Sequence, residues 1–296
     1  MREPASRTTY LVTGATGNIG SRVVERLLRR GERPRVLVRD AARGARRYGD
    51  RVDVRVGDFD DSASLSRAVD GVDVVFLVTA GADLAEKDKR AADVAKSAGV
   101  RLLAKLSTDD VAHGVGTGVW HREGEAAIRD SGIGFVFVQP SGFMDNFLNW
   151  ADAIKADGVV RCADGVVRCA AGEGTIPFIH SDDIADVAIA AMTEPHYAGQ
   201  SLPITGLEAL SFADMTAKVG AAVGRDLRFE PRSEDEERRA QAAWGSPQAV
   251  IEARLSIFRA IREGRLAAVS DNVTKILGRE PISFDQWAQQ NAAAFV

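Results

Sequence analysis

The chain has 296 residues, 45% apolar and 27% charged, with 38 basic against 42 acidic side chains and a formal charge of −4. That is an ordinary globular balance, and it excludes the basic excess or stripe of a general nucleic-acid binder. Nothing approaches an apolar membrane span, Met1 to Arg7 lacks the apolar core of a signal peptide, and the two cysteines, Cys162 and Cys169, are too few for a disulfide framework, so a cytoplasmic setting with reduced thiols is expected.

The first half alternates strand and helix patterns. Thr8 to Thr13 reads as a β-rich run, followed by glycines and an amphipathic stretch from Ile19 to Arg30. Arg35 to Val38, Val52 to Val56, Val72 to Val78, Leu102 to Leu106 and Gly134 to Val138 read as further buried strands. Helical periodicity lies between most of them, as in Ser64 to Val69 and Leu84 to Ala98, while the interval between the second and third strands reads mostly as loop. Such alternation favours a parallel sheet covered on both faces, and right-handed crossovers make the doubly wound Rossmann arrangement the economical α/β topology.

After Pro140 the pattern changes. The near-repeat GVVRCA, at Gly158 to Ala163 and again at Gly165 to Ala170, suggests a Val159 to Ala170 hairpin turning at Asp164-Gly165. Strand-like Thr175 to Ile179 precedes a helix at Asp183 to Met192, with Asp182 or Asp183 as its N-cap. From Ser211 onward the pattern is mainly helical, and the charged stretch Ser233 to Arg239 reads as a solvated helix face. These segments divide the chain into a dinucleotide-binding domain at 1–142 and 176–203 and a smaller, mainly helical substrate lobe at 143–175 and 204–296.

The chemistry-bearing motif is Thr13-Gly14-Ala15-Thr16-Gly17-Asn18-Ile19-Gly20, which follows the first strand and opens the first helix. The first glycine permits a tight turn, the second lets backbone approach a pyrophosphate, and the third allows close helix–strand packing. Free amides and the positive end of the helix dipole then face the phosphates. The second strand ends Val36-Leu37-Val38-Arg39, where an acid would accept from the ribose 2′-hydroxyl of NAD; a guanidinium suits the 2′-phosphate of NADP(H). Arg43 or Arg46 could assist, and Asp40 leaves room for NAD(H). Asp58 and Phe59 follow the third strand and Thr79 and Ala80 the fourth, at the crevice end of such a sheet; Asp58 and Phe59 read equally as an adenine contact or as the cap of the next helix.

TGATGNIG, the arginine after the second strand, GDFDD, KLST, and QPSGFMDN followed by FIHSDDIADVA together resemble the NmrA-like group of atypical short-chain dehydrogenases, over nearly the whole chain. That group includes quinone and triphenylmethane reductases as well as dinucleotide-sensing regulators. The resemblance implies that Gly14, Gly17, Asn18, Ile19, Arg39, Asp58, Phe59, Thr79 and Ala80 contact cofactor, with Lys105, Pro140 and Phe143 near the nicotinamide. Thr16 and Gly20 complete the glycine turn.

The sequence departs from ordinary short-chain dehydrogenases in one respect. None of the three tyrosines, Tyr10, Tyr48 and Tyr197, has the lysine four residues later that would lower its pKa. The expected helix carries His121-Arg-Glu-Gly-Glu125, which puts His121 and Glu125 on one face; Glu125 could orient an acid–base imidazole, or the pair could be a surface contact. Lys105 lies within an apolar strand, where an unpaired ammonium is costly, so it needs a cofactor hydroxyl, a partner carboxylate or the cleft. Ser107 ends that strand, where the usual catalytic hydroxyl would stand, or is a plain turn residue. His180 is a minor candidate, and no metal signature is present.

These readings make the chain an NADP(H)-dependent reductase of a quinone, enone or similar conjugated or aromatic small molecule, with Lys105, His121 and Ser107 as candidate catalytic residues. Trp120, Phe143, Met144, Phe147 and Trp150 would line an apolar pocket or fill a core. Two alternatives stay open: a redox sensor that holds NADP(H) without turnover, and a biosynthetic enzyme that modifies or couples an aromatic polyketide. A small-molecule partner is expected, nucleic acid and membrane are not, and an oligomer is left open.

Overall fold

The structure, a computed structural model, describes residues 8–154 and 165–296. In chain order the first elements are β1 (Tyr10–Val12), α1 (Asn18–Arg29), β2 (Arg35–Val38), α2 (Ala41–Tyr48), β3 (Asp53–Val56), α3 (Ser62–Val69), β4 (Val74–Leu77), α4 (Leu84–Ser97) and β5 (Leu102–Leu106). Then come α5 (Asp110–His113), α6 (Gly118–Asp130), β6 (Phe135–Pro140), α7 (Ala151–Ile154), β7 (Val166–Cys169), β8 (Thr175–Ile176), α8 (Ser181–Thr193) and β9 (Ser201–Ile204). The remainder is β10 (Leu210–Ser211), α9 (Phe212–Val223), β11 (Arg228–Pro231), α10 (Glu234–Ala243), α11 (Gln248–Arg262), α12 (Asn272–Leu277) and α13 (Phe284–Gln290).

A seven-stranded sheet runs in the order β3-β2-β1-β4-β5-β6-β9, and every pairing from β3 through β6 is parallel. This is the doubly wound Rossmann arrangement, with the strand order reversing between β1 and β4. Every residue of β4 and β5 is buried, which explains why these strands read as continuous apolar runs instead of alternating ones. On one face Leu11, Leu37, Val75, Leu77, Leu103 and Phe137 meet Leu65 of α3, Ala92 of α4 and Ile128 of α6.

The described residues divide into two compact units: residues up to Ser107 with Trp120–Gln139 and Ile184–Leu202, and Thr108–Val119 with Pro140–Asp183 and Pro203–Val296. The first holds the sheet, and Arg26 of α1 pairs with Asp186 of α8 to tie that late helix to it. Relative to the boundaries at 142, 176 and 203 drawn from sequence, residues 108–119, 140–142, 176–183 and 203 group with the second unit.

The second unit contains the parallel pair β7–β11, the antiparallel pair β8–β10 and helices α9 to α13. Its core is aromatic. The Phe147 ring meets Phe284 at 5.7 Å and Trp287 at 6.3 Å, both edge-on, a favoured geometry for such rings. Met144 and Phe147 are fully buried in this core, so of the residues expected as pocket wall or core these two are core.

Local expectations are corrected at several points: β3, expected as a buried strand, is a sheet-edge strand with Val56 exposed. The interval between β2 and β3 is not mainly loop: α2 forms there, capped by Asp40, whose side chain accepts from the Ala42 amide at 2.8 Å. Its buried face is only Gly44 and Tyr48, one turn apart, too narrow for an apolar stripe to reveal it. The first strand of the expected Val159 to Ala170 hairpin, with Cys162 and Asp164, lies outside the described residues; its second strand, Val166–Cys169, pairs in parallel with Arg228–Pro231. Helix α8 begins at Ser181, and Asp183 turns to another task. It is buried and accepts from the Arg279 guanidinium at 2.6 Å and the Ile282 amide at 2.8 Å. The charged stretch is α10, solvated on one side, where Glu234 meets Arg259 and Arg262, but burying Glu237 and Gln241 on the other.

Asp183 therefore holds the segment leading into α13. Asp183→Asn should lower the unfolding free energy by about 2–3 kcal/mol, the scale of lost hydrogen bonds to a charged group. Urea denaturation checks this, and a change below about 0.5 kcal/mol would show the contact to be incidental.

Candidate active site

The glycine turn is built by steric exclusion. Gly14 has φ +59°, and a Cβ there would stand 2.9 Å from Cβ of Val78. A Cβ on Gly20 would stand 2.3 Å from the Gly14 carbonyl oxygen, so only glycine lets α1 start this close to the turn. Gly17 caps α1 with backbone alone, without a capping side chain or an acid in the first turn. The helix thus begins with no capping side chain and no acid opposing its positive dipole end. Gly14, Gly17 and Asn18 are exposed, Thr16 is half-buried, and Ile19 and Gly20 are buried beneath them. Tyr48 donates its hydroxyl to the Ala15 carbonyl, fastening α2 to the turn.

At the end of β2, Arg39 and Arg43 are exposed and have no hydrogen bond or ion pair with the described residues. Arg46 lies 4.0 Å from Asp40. Asp40 itself is committed to capping α2, so the acid that left room for NAD faces the helix amides. Asp58 does not cap α3. It accepts from the Asp60 amide at 3.0 Å, and Asp61 caps α3 through the Ala63 and Ser64 amides. Phe59 is half-buried against the core below it.

Two polar networks lie at the ends of β4 and β5. Lys105 is completely buried, 2.6 Å from Oδ2 of Asp88, which is equally buried. Its ammonium donates to Oγ1 of Thr79 at 3.2 Å, and Thr79 donates to Oδ1 of Asp88 at 2.7 Å. Burial pulls the Lys105 ammonium below its usual range, against the opposing pull of Asp88 and Glu125. A Cβ on Gly124 would stand 2.1 Å from Oδ2 of Asp88, so α6 passes the pair where it has no side chain.

The second network centres on Glu125, also buried. Its carboxylate accepts from Oγ of Ser107 at 2.6 Å, Nε2 of Gln139 at 2.8 Å and the Arg129 guanidinium at 3.1 Å. It does not hold His121, contrary to the pairing their helical spacing suggested: Nδ1 of His121 is buried with no hydrogen-bond partner among the described residues. Burial first, and then the Lys105 charge, push the imidazole from 6.5 down to about 3. His121 is thus a neutral ring at physiological pH, with one unsatisfied nitrogen.

Other candidates have different surroundings. Pro140 and Phe143 fall in the second unit, where Phe143 bridges to Ile179 and the Pro140 carbonyl accepts from the Asp109 amide at 2.9 Å. His180 is buried there, its Nδ1 accepting from the Asp182 amide at 3.0 Å and its Nε2 3.2 Å from Oε1 of Gln290. Ala80 is exposed. Among the described residues no three His, Cys, Asp or Glu side chains gather as a metal site would need, and no helix is long and apolar enough to cross a membrane.

The family described as NAD(P)H-binding matches residues 14–195, from the glycine turn through α8. The chain belongs to this family, within the NmrA-like, atypical short-chain dehydrogenases. It is 38% identical over 288 residues to a (4-alkanoyl-5-oxo-2,5-dihydrofuran-3-yl)methyl phosphate reductase of Streptomyces griseus, covering 96% of this chain and 98% of that one. It is 35% identical over 289 residues to an NAD(P)H azoreductase of Xenophilus azovorans, with 96% and 98% covered. Its fold is similar to that of an NADPH-dependent quinone oxidoreductase of Escherichia coli solved with NADPH, at a TM-score of 0.84, 24% identity, and 95% and 99% coverage.

Asp88 and Gln139 were missed in the sequence. The signal for Asp88 is an acid on the buried stripe of α4, among Leu84, Ala91, Ala92 and Ala95, on the helix neighbouring a strand with a buried lysine. Gln139 carried no such signal, since a polar residue ending a strand is common.

The neutral His121 gives a prediction. The unfolded chain takes a proton on this histidine near pH 6.5 and the folded chain refuses it until about pH 3. His121 therefore contributes stability fully above the unfolded pKa, and that contribution is lost as pH falls from about 6.5 toward 3, by at most about 1.4 kcal/mol per pH unit. Histidine NMR should show one of the four imidazoles failing to titrate above pH 4.5, and His121→Gln should lose less stability than wild type between pH 7 and 5. Four imidazoles titrating near pH 6.5 would contradict the assignment.

Proposed function

We propose that this protein is an NADP(H)-dependent reductase of quinones, enones or similarly conjugated aromatic molecules. The observation that carries the cofactor half is the pairing of an uncapped glycine turn with two guanidinium groups, Arg39 and Arg43, that have no acidic partner among the described residues. Gly14, Thr16, Gly17, Asn18, Ile19 and Gly20 would cradle the pyrophosphate, mainly through backbone. Arg39, assisted by Arg43, would take the 2′-phosphate, since guanidinium matches phosphate in charge and geometry. Asp58 and Phe59 would border the adenine. Thr79, Ala80 and Ser107, at the ends of β4 and β5, would border the nicotinamide half, with Pro140 and Phe143 kept as further candidates.

A bound NADPH supplies a hydride to the acceptor. What the chain must add is orientation and exclusion of water. It has no tyrosine acid: Tyr48 is buried and spends its hydroxyl on Ala15, and neither Tyr10 nor Tyr197 is followed by a lysine at the required spacing. Quinones and other conjugated acceptors spread the incoming charge and can be protonated from water, so they fit a site without that acid. The neutral His121 remains as a hydrogen-bonding group for the acceptor. Lys105, fully buried and paired with Asp88, supports the site from beneath instead of touching a substrate. The reductases of an oxo-dihydrofuran phosphate and of azo compounds, each at least 35% identical over nearly the whole chain, support the same acceptor class.

The test is a fluorescence titration with NADPH and NADH, followed by addition of a quinone panel. NADPH should bind more tightly than NADH and be oxidised only once quinone is present. Arg39→Asp should weaken NADPH by about ten- to hundredfold, the scale of a lost charge-assisted contact, and NADH by much less. Tight binding without oxidation by any acceptor would favour the sensor, and equal losses for the two nucleotides would remove Arg39 from the phosphate site.

A further inference from the structure

A hydroxyl group has one proton to give and two lone pairs to receive. At the ends of β4 and β5 both available protons are already spent. Thr79 donates to Oδ1 of Asp88 at 2.7 Å, and one of its lone pairs receives the Lys105 ammonium at 3.2 Å. Ser107 donates to Oε1 of Glu125 at 2.6 Å. Each carboxylate is held in turn: Asp88 by Lys105 at 2.6 Å, Glu125 by Gln139 at 2.8 Å and Arg129 at 3.1 Å. All of these residues belong to the first unit, and Asp88, Lys105 and Glu125 are at most 1% exposed. Water is thus kept from replacing either bond; turning Thr79 around would leave Oδ1 of Asp88 without a donor, and turning Ser107 around would leave Oε1 of Glu125 with Gln139 alone.

We infer that Asp88 and Glu125 are positioning residues that lock Thr79 and Ser107 as acceptor-only groups, so that this edge of the site binds hydrogen-bond donors and gives no hydroxyl proton to the substrate. The inference rests on the NADP(H) reductase reading and deepens it. Donors of the kind such a pair would receive are the ribose hydroxyls and the carboxamide amino group on the nicotinamide half of the cofactor. The arrangement is the reverse of an oxyanion-binding site, which needs donors aimed at developing negative charge. It narrows the substrates to acceptors that delocalise the charge themselves. An unconjugated ketone, whose reduction places the charge on a single oxygen, finds no donor in these two hydroxyls.

The experiment measures NADPH dissociation constants by fluorescence and steady-state quinone reduction for wild type, Thr79→Val, Ser107→Ala, Glu125→Gln and the double variant Ser107→Ala/Glu125→Gln, with melting temperatures alongside. Thr79→Val and Ser107→Ala should each raise the NADPH dissociation constant and KM by about three- to tenfold, while kcat at saturating NADPH falls less than threefold. Glu125→Gln should weaken NADPH by a similar factor, and in the Ser107→Ala background it should add nothing, because a group that acts only through Ser107 is not additive with its loss. A general structural role for Glu125 would instead give additive losses, and would overturn its assignment. A NADPH dissociation constant unchanged in either hydroxyl variant, or a hundredfold fall in kcat for Ser107→Ala with NADPH affinity intact, would overturn the acceptor-only reading. So would reduction of cyclohexanone at a rate within tenfold of the quinone. Should Glu125→Gln fail to fold, the two hydroxyl variants decide by the same split. Wild-type protein that does not bind NADPH at all would overturn the reductase reading itself, which the variants do not test.

Discussion

The first unit depends on a close approach in which no side chain fits. At Gly20 a Cβ would overlap the Gly14 carbonyl, and at Gly14 it would press on Val78 with the backbone at positive φ. With these positions bare, α1 leaves β1 directly and aims its uncapped N-terminus along the strand ends. The neighbouring strands then follow in parallel, β4 beside β1 on one side and β2 on the other, and the order reverses where a ligand crevice is expected. The same contact sets the fold and leaves the start of α1 without a capping side chain, so one constraint serves both stability and binding.

A second close approach organises the other end of the crevice. Gly124 lets α6 pass against the Asp88–Lys105 pair, which sits sealed beneath Thr79. A buried ion pair is rarely a gain over well-packed apolar side chains. Its presence here is better understood through what it orients than through what it stabilises. The electrostatics extend to His121, whose imidazole is kept neutral by burial and by the nearby ammonium. One buried cation thus holds the hydroxyl that follows β4 and adds to the burial that keeps a ring on α6 neutral.

Much of this was legible in the sequence, and the reasons are specific. The inner strands β1, β4 and β5 could be read because burial on both faces makes each a short apolar block, unlike the edge strand β3 with its exposed Val56, and the glycine spacing could be read because only glycine satisfies the contacts it makes. Arg39 could be picked out as a candidate because it directly ends such a block. Helix α2 was not, because its buried face is a glycine and a tyrosine among arginines. The partner of Lys105 was not, because a carboxylate seventeen residues upstream on another element becomes its counter-ion only through the crossover. Glu125 was named, but with the wrong neighbour. Helical spacing places it on the face of His121, and only the fold shows that Ser107 and Gln139 reach its carboxylate first.

A crystal structure of the protein with NADP⁺ tests the central claim most directly. The account predicts the pyrophosphate on the amides from Gly14 to Ile19, the 2′-phosphate between Arg39 and Arg43, and nucleotide donors pointing at Thr79 and Ser107. A nucleotide bound with its 2′-phosphate turned away from both arginines, or seated anywhere but on the glycine turn, would contradict it.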